Sequence, residues 1–141
     1  MSTETPRQSS ILDIRVYYED TDGVGVVYYA NYLKFFERGR TEWLRHLGVD
    51  QSRLAQRDQR MFVVRSADIK YLKPAKLDDL LAIHTKISRV GHASIDFEQL
   101  AMLSGELLCR SNIQVCCVNT KTFRPAAFNG ELRTLLEKVQ K

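Results

Sequence analysis

The run from Met61 to Asn119 limits the possible folds more than any other part of the sequence. It holds four extended segments, Met61 to Leu72, Leu80 to Ser88, Ala93 to Ser104 and Leu107 to Asn119, with no helical apolar period between them. The last three are separated by RVGH and SGE, lengths that suit hairpins, so these strands are expected to form an antiparallel meander. A doubly wound parallel sheet would need a crossover helix between successive strands, and these spacings leave no room for one. Leu107, Cys109, Ile113, Val115 and Cys117 mark one apolar face of the last strand, with Arg110, Asn112 and Gln114 on the other. That alternation predicts a sheet with one wet side.

The dry side needs a cover, and the sequence supplies one upstream. From Ala30 to Leu47 the apolar residues Tyr32, Leu33, Phe36, Trp43, Leu44 and Leu47 recur at helical spacing, and Gly48 provides a left-handed stop. Such a helix runs about 26 Å, enough to form the spine of a small domain. Gly39 and Arg40 fall inside its apolar stripe. A mid-helix glycine costs about 1 kcal/mol relative to alanine, so Gly39 suggests close backbone approach. Arg40 is expected to pair with Glu37, three residues earlier.

Three lesser elements complete the expected order. Ile11 to Tyr18 reads as a first strand, Gln51 to Asp58 as a short polar helix, and Asn129 as the cap of a final helix with the stripe Leu132, Leu135, Leu136 and Val139. The inventory is that of an α+β domain in which a curved antiparallel sheet wraps around one long helix. Residues 1–10 are expected to be a disordered lead and 11–141 a single domain.

Composition narrows the function classes. Apolar residues make up 44% and charged residues 27%, which argues for a globular chain and against disorder. No apolar run is long enough to span a bilayer, and MSTETPRQSS lacks an apolar core and a basic cluster, so the protein is expected in the cytoplasm. Cys109, Cys116 and Cys117 are odd in number and lack CxxC spacing, so they read as small apolar filler and not as a disulfide or a zinc site. The net charge of +4 suits an anionic partner, whether phosphates on a small ligand, an acidic carrier protein or nucleic acid. Scattered basic residues without a recognition motif make nucleic acid the weakest of these.

The chemistry concentrates just ahead of the long helix. Glu19, Asp20 and Asp22 bunch on a turn that continues as GVGVVYY. A solvated turn is the plain reading. A hard cation needs more oxygen ligands than this segment offers, and the glycines match neither GxGxxG nor a P-loop. An acid beside a helix start has another use. The unpaired N–H groups there carry partial positive charge and can hold a carbonyl oxygen as it becomes an oxyanion. A neighbouring Asp can act on the same carbonyl, as a base toward water or as a nucleophile.

The stretch YYEDTDGVGVVYYANYLKFFERGRTEWLRHLG carries a further signal. Its Y-x-D-T-D, then G-V-V-Y, then N-Y and F-x-E-R-x-R-T resemble the hotdog-fold thioesterases of the 4-hydroxybenzoyl-CoA thioesterase class, and among them the YbgC-type acyl-CoA thioesterases associated with the Tol-Pal system. FVVR at Phe62 to Arg65, YLKPAKLDD at Tyr71 to Asp79 and the pair Arg124 and Pro125 support the resemblance more weakly. It implies a five-stranded antiparallel sheet around a central helix, dimers whose sheets join, pairing of dimers into a homotetramer, and active sites at subunit interfaces. It implies that Asp22 is catalytic and that the backbone N–H of Tyr29 receives the thioester carbonyl. Many YbgC-type members carry His where this chain has Tyr29, a change that keeps the main-chain donor and removes any imidazole.

The expected reaction is hydrolysis of an acyl-CoA to free acid and CoA, with no metal and no cofactor, CoA being part of the substrate. Acyl carrier protein is a further expected partner, and a non-catalytic acyl-binding module is the alternative. Arg65 and Arg89 are candidates for the anionic groups of CoA, since guanidinium suits phosphate geometry. Asp20 reads as a structural turn acid. His46, His84 and His92 are expected to be structural or solvated, although a phosphate contact from His92 fits the same reasoning.

Overall fold

A computed structural model describes residues 9–140. Its elements are β1 (Ser9–Arg15), α1 (Tyr32–His46), α2 (Gln51–Asp58), β2 (Arg60–Tyr71), β3 (Leu80–Val90), β4 (Ser94–Leu103), β5 (Glu106–Asn119) and α3 (Gly130–Val139). Single 3₁₀ turns occupy Tyr18–Asp20 and Tyr29–Asn31. All five strands form one antiparallel sheet in the order β1-β3-β4-β5-β2, with α1 packed against one face of it. The meander expected from hairpin spacing is β3-β4-β5, and the two outer strands reach it over long chain separations, Ser9 pairing with Lys86 and Arg60 with Asn119.

The first strand differs from expectation. It starts at Ser9, inside the expected lead, and ends at Arg15, three residues short of Tyr18. The Asp20 carboxylate takes the N–H of Tyr17 at 2.8 Å and draws the chain into the 3₁₀ turn, so strand geometry stops there. Residues 1–8 of the expected lead lie outside the described residues. The helix expected over Ala30 to Leu47 divides into the Tyr29–Asn31 turn and α1, and Gly48 stops it at φ +97° as expected. Asp50 caps α2 through the N–H groups of Ser52 and Arg53, and Asn129 caps α3 through that of Leu132.

The core lies between α1 and the sheet. Phe35, Phe36, Trp43 and Leu44 on the helix meet Leu81, Ile83, Ile87, Ile95, Phe97 and Ile113 on the strands. Each large side chain fully buried here contributes roughly 1.5–3 kcal/mol. A polar stripe crosses this apolar face on adjacent rungs, Thr85 of β3 beside Gln99 of β4 beside Ser111 of β5, all buried. Gly39 sits directly above it. A Cβ there would stand 2.9 Å from Thr85 Oγ1 and from Ile83 Cγ2, so the close approach suggested by the sequence is real.

The expected Glu37–Arg40 ion pair does not form. Arg40 turns inward, 7% exposed, where Nη1 donates to Gln99 Oε1 at 2.9 Å and the guanidinium lies 5.9 Å from the Phe97 ring centre. Glu37 stays at the surface and accepts from the Thr41 hydroxyl at 2.8 Å. Gln99 is the better placed partner because its amide also donates to Phe36 O and Thr85 Oγ1, which locks helix to sheet. Burial lowers the Arg40 pKa to about 10. The three cysteines are buried and free, and burial raises the thiols of Cys109 to about 12 and Cys117 to about 11, as filler thiols should be. No described helix is long and apolar enough to cross a membrane.

Candidate active site

The segment from Asp20 to Tyr28 folds into a miniature hairpin. Tyr28 N–H donates to Asp20 O at 2.9 Å, Thr21 bridges Val27, and Asp22 N–H donates to Val26 O at 3.0 Å. Gly23 and Gly25, both at φ +92°, make the tight reversal that L side chains resist. The hairpin is pinned to the loop before β3 by main-chain bonds, Val27 N–H to Ala75 O at 2.8 Å and Leu77 N–H to Gly25 O at 3.2 Å.

The two aspartates of this hairpin have different tasks. Asp20 is buried, its carboxylate shared between the Tyr17 N–H and the Asn31 side-chain amide, the latter at 3.1 Å. It is a structural clamp, as expected. Asp22 is exposed, and one of its oxygens accepts the Val24 N–H at 3.0 Å in an Asx turn. The second oxygen has no partner among the described residues.

Asn31 has a consequence for the helix start. It occupies the N-cap position of α1 yet makes no side-chain cap: its backbone is already helical at φ −69° and ψ −21°, and its side-chain NH2 donates to Asp20. The N–H groups of Tyr29 and Ala30 have no acceptor among the described residues. Counting along the ladder, Tyr29 lies three residues from the rung that carries Asp22, roughly 10 Å between Cα positions at about 3.3 Å per residue. Exposed tyrosines frame the space. Tyr29, at 61% exposure, packs against Tyr28 with ring centres 4.8 Å apart and meets the edge of Tyr71 at 6.0 Å.

Sequence reasoning missed Tyr71 as part of this group. Its hydroxyl donates to Tyr29 O at 3.1 Å from the far end of β2. The neighbouring YLKP was visible, but nothing in the sequence could say which backbone group the hydroxyl would reach. Arg65 and Arg89 are not brought to the hairpin within one chain. Arg65 sits in the bulge between Val64 and Ser66, about 20 Å along β2 from Tyr71, and Arg89 lies near the far end of β3, about 30 Å from its start at Leu80. Both are exposed. Phe35, Phe36 and Trp43 are buried in the core, whereas Tyr29 is exposed. His46 and His92 are exposed, and His84 is half-buried. Among the described residues, no three His, Cys, Asp or Glu side chains gather as a metal site requires.

A second feature lies under the middle of α1. Arg40, Thr41, Phe62, Val64, Ile95 and Phe97 line a cavity of about 250 Å³ that opens beside β2. β2 is an edge strand of the sheet, and Val63 and Val64 on it are exposed.

Comparison with known proteins gives a consistent pattern. The family model described as the thioesterase superfamily matches residues 24–109. The acyl-CoA thioesterase YbgC of Haemophilus influenzae is 48% identical over 127 residues, covering 90% of this chain and 93% of the relative. The acyl-CoA thioester hydrolase YbgC of Escherichia coli O157:H7 is 43% identical over 115 residues, covering 81% and 85%. Among solved structures, a probable thioesterase from Bartonella henselae superposes with a TM-score of 0.81 at 37% identity, covering 85% of this chain and 98% of that one. A DHNA-CoA thioesterase from Staphylococcus aureus reaches 0.87 at 21% identity, covering 93% and 90%, which speaks to the fold alone.

Proposed function

The chain belongs to the thioesterase superfamily, as a relative of the YbgC acyl-CoA thioesterases, and from that membership we propose that it hydrolyses an acyl-CoA thioester with Asp22 as the reacting acid. One observation carries the assignment of residues: the free N–H at Tyr29 and the free carboxylate oxygen of Asp22 stand at opposite ends of one short hairpin.

In this reading the thioester oxygen accepts the Tyr29 N–H. Asp22 takes a proton from water as the water oxygen bonds to the carbonyl carbon, and the resulting oxyanion is held at the helix start. The oxyanion then collapses, the C–S bond breaks, and CoA leaves as a thiolate that recovers the proton from Asp22. A thiol near the ordinary pKa of about 8.5 departs with little acid assistance, so no Ser-His-Asp triad is needed. Direct attack by the carboxylate, through an acyl anhydride that water later opens, uses the same geometry. A single turnover in ¹⁸O-water separates the two routes, because only the anhydride route can leave ¹⁸O in Asp22. CoA enters as part of the substrate, and no cofactor is required.

The acyl group needs apolar walls that the open hairpin lacks. Two-fold antiparallel pairing of β2 edges would lay the Tyr71 end of one protomer beside the Arg60–Phe62 end of another. The hairpin would then overhang the cavity under the partner's α1. The unpaired β2 edge and its exposed valines support this dimer. Back-to-back pairing of dimers into a tetramer follows the resemblance alone.

The deciding experiment measures thiol release from a panel of CoA thioesters, short aliphatic through aromatic to long-chain, by wild type and by Asp22→Asn. Wild type is expected to turn over members of the panel. The variant is expected to lose at least about 10²-fold in kcat while its circular dichroism is unchanged. Undiminished turnover in the variant removes Asp22 from the chemistry. Tight retention of an acylated carrier protein with no turnover of any thioester favours a binding module instead.

A further inference from the structure

The thioesterase reading leaves the Tyr71 hydroxyl without a role, although it is the only side-chain donor bonded to the Tyr29 carbonyl among the described residues. Tyr71 closes the last rung of the β2–β5 ladder, opposite Cys109, so its backbone is held by the sheet. Its ring stands edge-on to two others, Tyr29 at 6.0 Å and 84° and Tyr32 at 5.6 Å and 61°. Tyr32 is itself fixed, since its hydroxyl accepts the Ala75 N–H at 3.2 Å from within the core. The Tyr71 hydroxyl therefore reaches the helix start from a rigid mounting.

Its target has a defined geometric effect. The peptide unit is planar and trans, so the carbonyl oxygen of Tyr29 and the N–H of Ala30 point in opposite directions. The Tyr32 N–H already donates to that oxygen along the helix, and the Tyr71 hydroxyl is its second grip from outside, so the two together aim the Ala30 N–H. This N–H is free among the described residues, it neighbours the free Tyr29 N–H, and successive N–H groups at the start of a helix point the same way. We infer that the Ala30 N–H is a second oxyanion donor beside that of Tyr29, and that Tyr71 is the positioning residue that aims it. The inference rests on the thioesterase reading and adds a residue to it. Burial, with Cys109 and Tyr29 nearby, raises the Tyr71 pKa above its ordinary 10, so the hydroxyl remains a donor throughout the working range.

The test separates aim from packing. Tyr71→Phe deletes the hydroxyl and keeps the ring, and Tyr71 is 46% exposed, so the fold should tolerate the change. Removing an oxyanion donor outright lowers kcat by about 10²–10³. Loosening one should lower it about tenfold, with KM changed less than about twofold and the melting temperature unmoved. The dissociation constant of a non-hydrolysable ketone analogue of the thioester should also stay constant, because a ground-state carbonyl gains little from the second donor. As an independent check, lactate incorporated in place of Ala30 converts that N–H to an ester oxygen, and it should cost at least as much in kcat as Tyr71→Phe. Wild-type kcat in both proteins overturns the inference, as does a fall in kcat matched by loss of thermal stability. If Asp22→Asn is inactive while Tyr71→Phe is fully active, the clamp fails and the thioesterase reading stands. A wild type inert toward every thioester overturns both.

Discussion

At Gly39 a missing methyl group decides how close the central helix can lie to the sheet. A Cβ would meet Ile83, Thr85 and Gln99 at 2.9, 2.9 and 3.1 Å, and Gln99 cannot retreat without releasing Phe36 O and Arg40. Gly39→Ala gains about 1 kcal/mol of helix propensity and meets an overpacking cost of about 1–3 kcal/mol, so a net loss of about 1 kcal/mol is expected, read as a lower denaturation midpoint in urea. An equal or higher midpoint would mean that the polar stripe yields easily. Here the sequence was half legible. A glycine inside an apolar stripe announced close approach, but the partner of Arg40 did not appear, because Gln99 lies 59 residues away on another strand. The nearer Glu37 was the natural expectation, and it was wrong because Arg40 and Glu37 leave the helix in different directions, one to the core and one to water. The structural reading of Asp20 holds, since a turn acid close to a strand end tends to be consumed by backbone N–H groups, and Asp22 beside it spends only one oxygen, on the Val24 N–H.

Among the elements, the helices and the meander were legible because their signals are local: caps, periods and hairpin lengths. The seats of β1 and β2 were not, since neither strand pairs with a neighbour in sequence. β2 carries the weaker pattern for a physical reason. As an edge strand with a bulge at Arg65 and most residues exposed, it has no second face to bury in one chain, so its alternation is lost. That same edge is the proposed seam between protomers. Val63→Lys/Val64→Lys sets like charges near the two-fold axis and is expected to shift the protein from dimer to monomer at micromolar concentration, measured by light scattering, with thioester turnover falling in parallel. A wild type that is already monomeric, or a variant that stays dimeric, would move the seam elsewhere.

For the molecule as a whole, buried titratable groups set the response to alkali. Cys109, Cys117 and Tyr32 hold their protons to about 12, 11 and 12, against ordinary values of 9 and 10, and burial is the leading cause in each. The folded state then binds more protons than the unfolded state from about pH 9 upward, so stability falls as pH rises through that window. Arg40 works the other way, because its lowered pKa relieves a buried charge above about pH 10. Three groups against one give a net loss, and the melting temperature is expected to drop between pH 9 and 11; a flat profile would show that these side chains meet water more than the packing suggests. The hairpin that bears Asp22 has a different kind of consequence. Its shape is fixed by main-chain bonds at Asp20, Asp22, Val27 and Tyr28, and the proposed receptors for the oxyanion are main-chain groups too. Side chains at Val24 and Tyr28 are therefore free to drift without dismantling the machinery. An ancestor with this architecture could diversify its diet of acyl groups one surface substitution at a time, never passing through an inert intermediate.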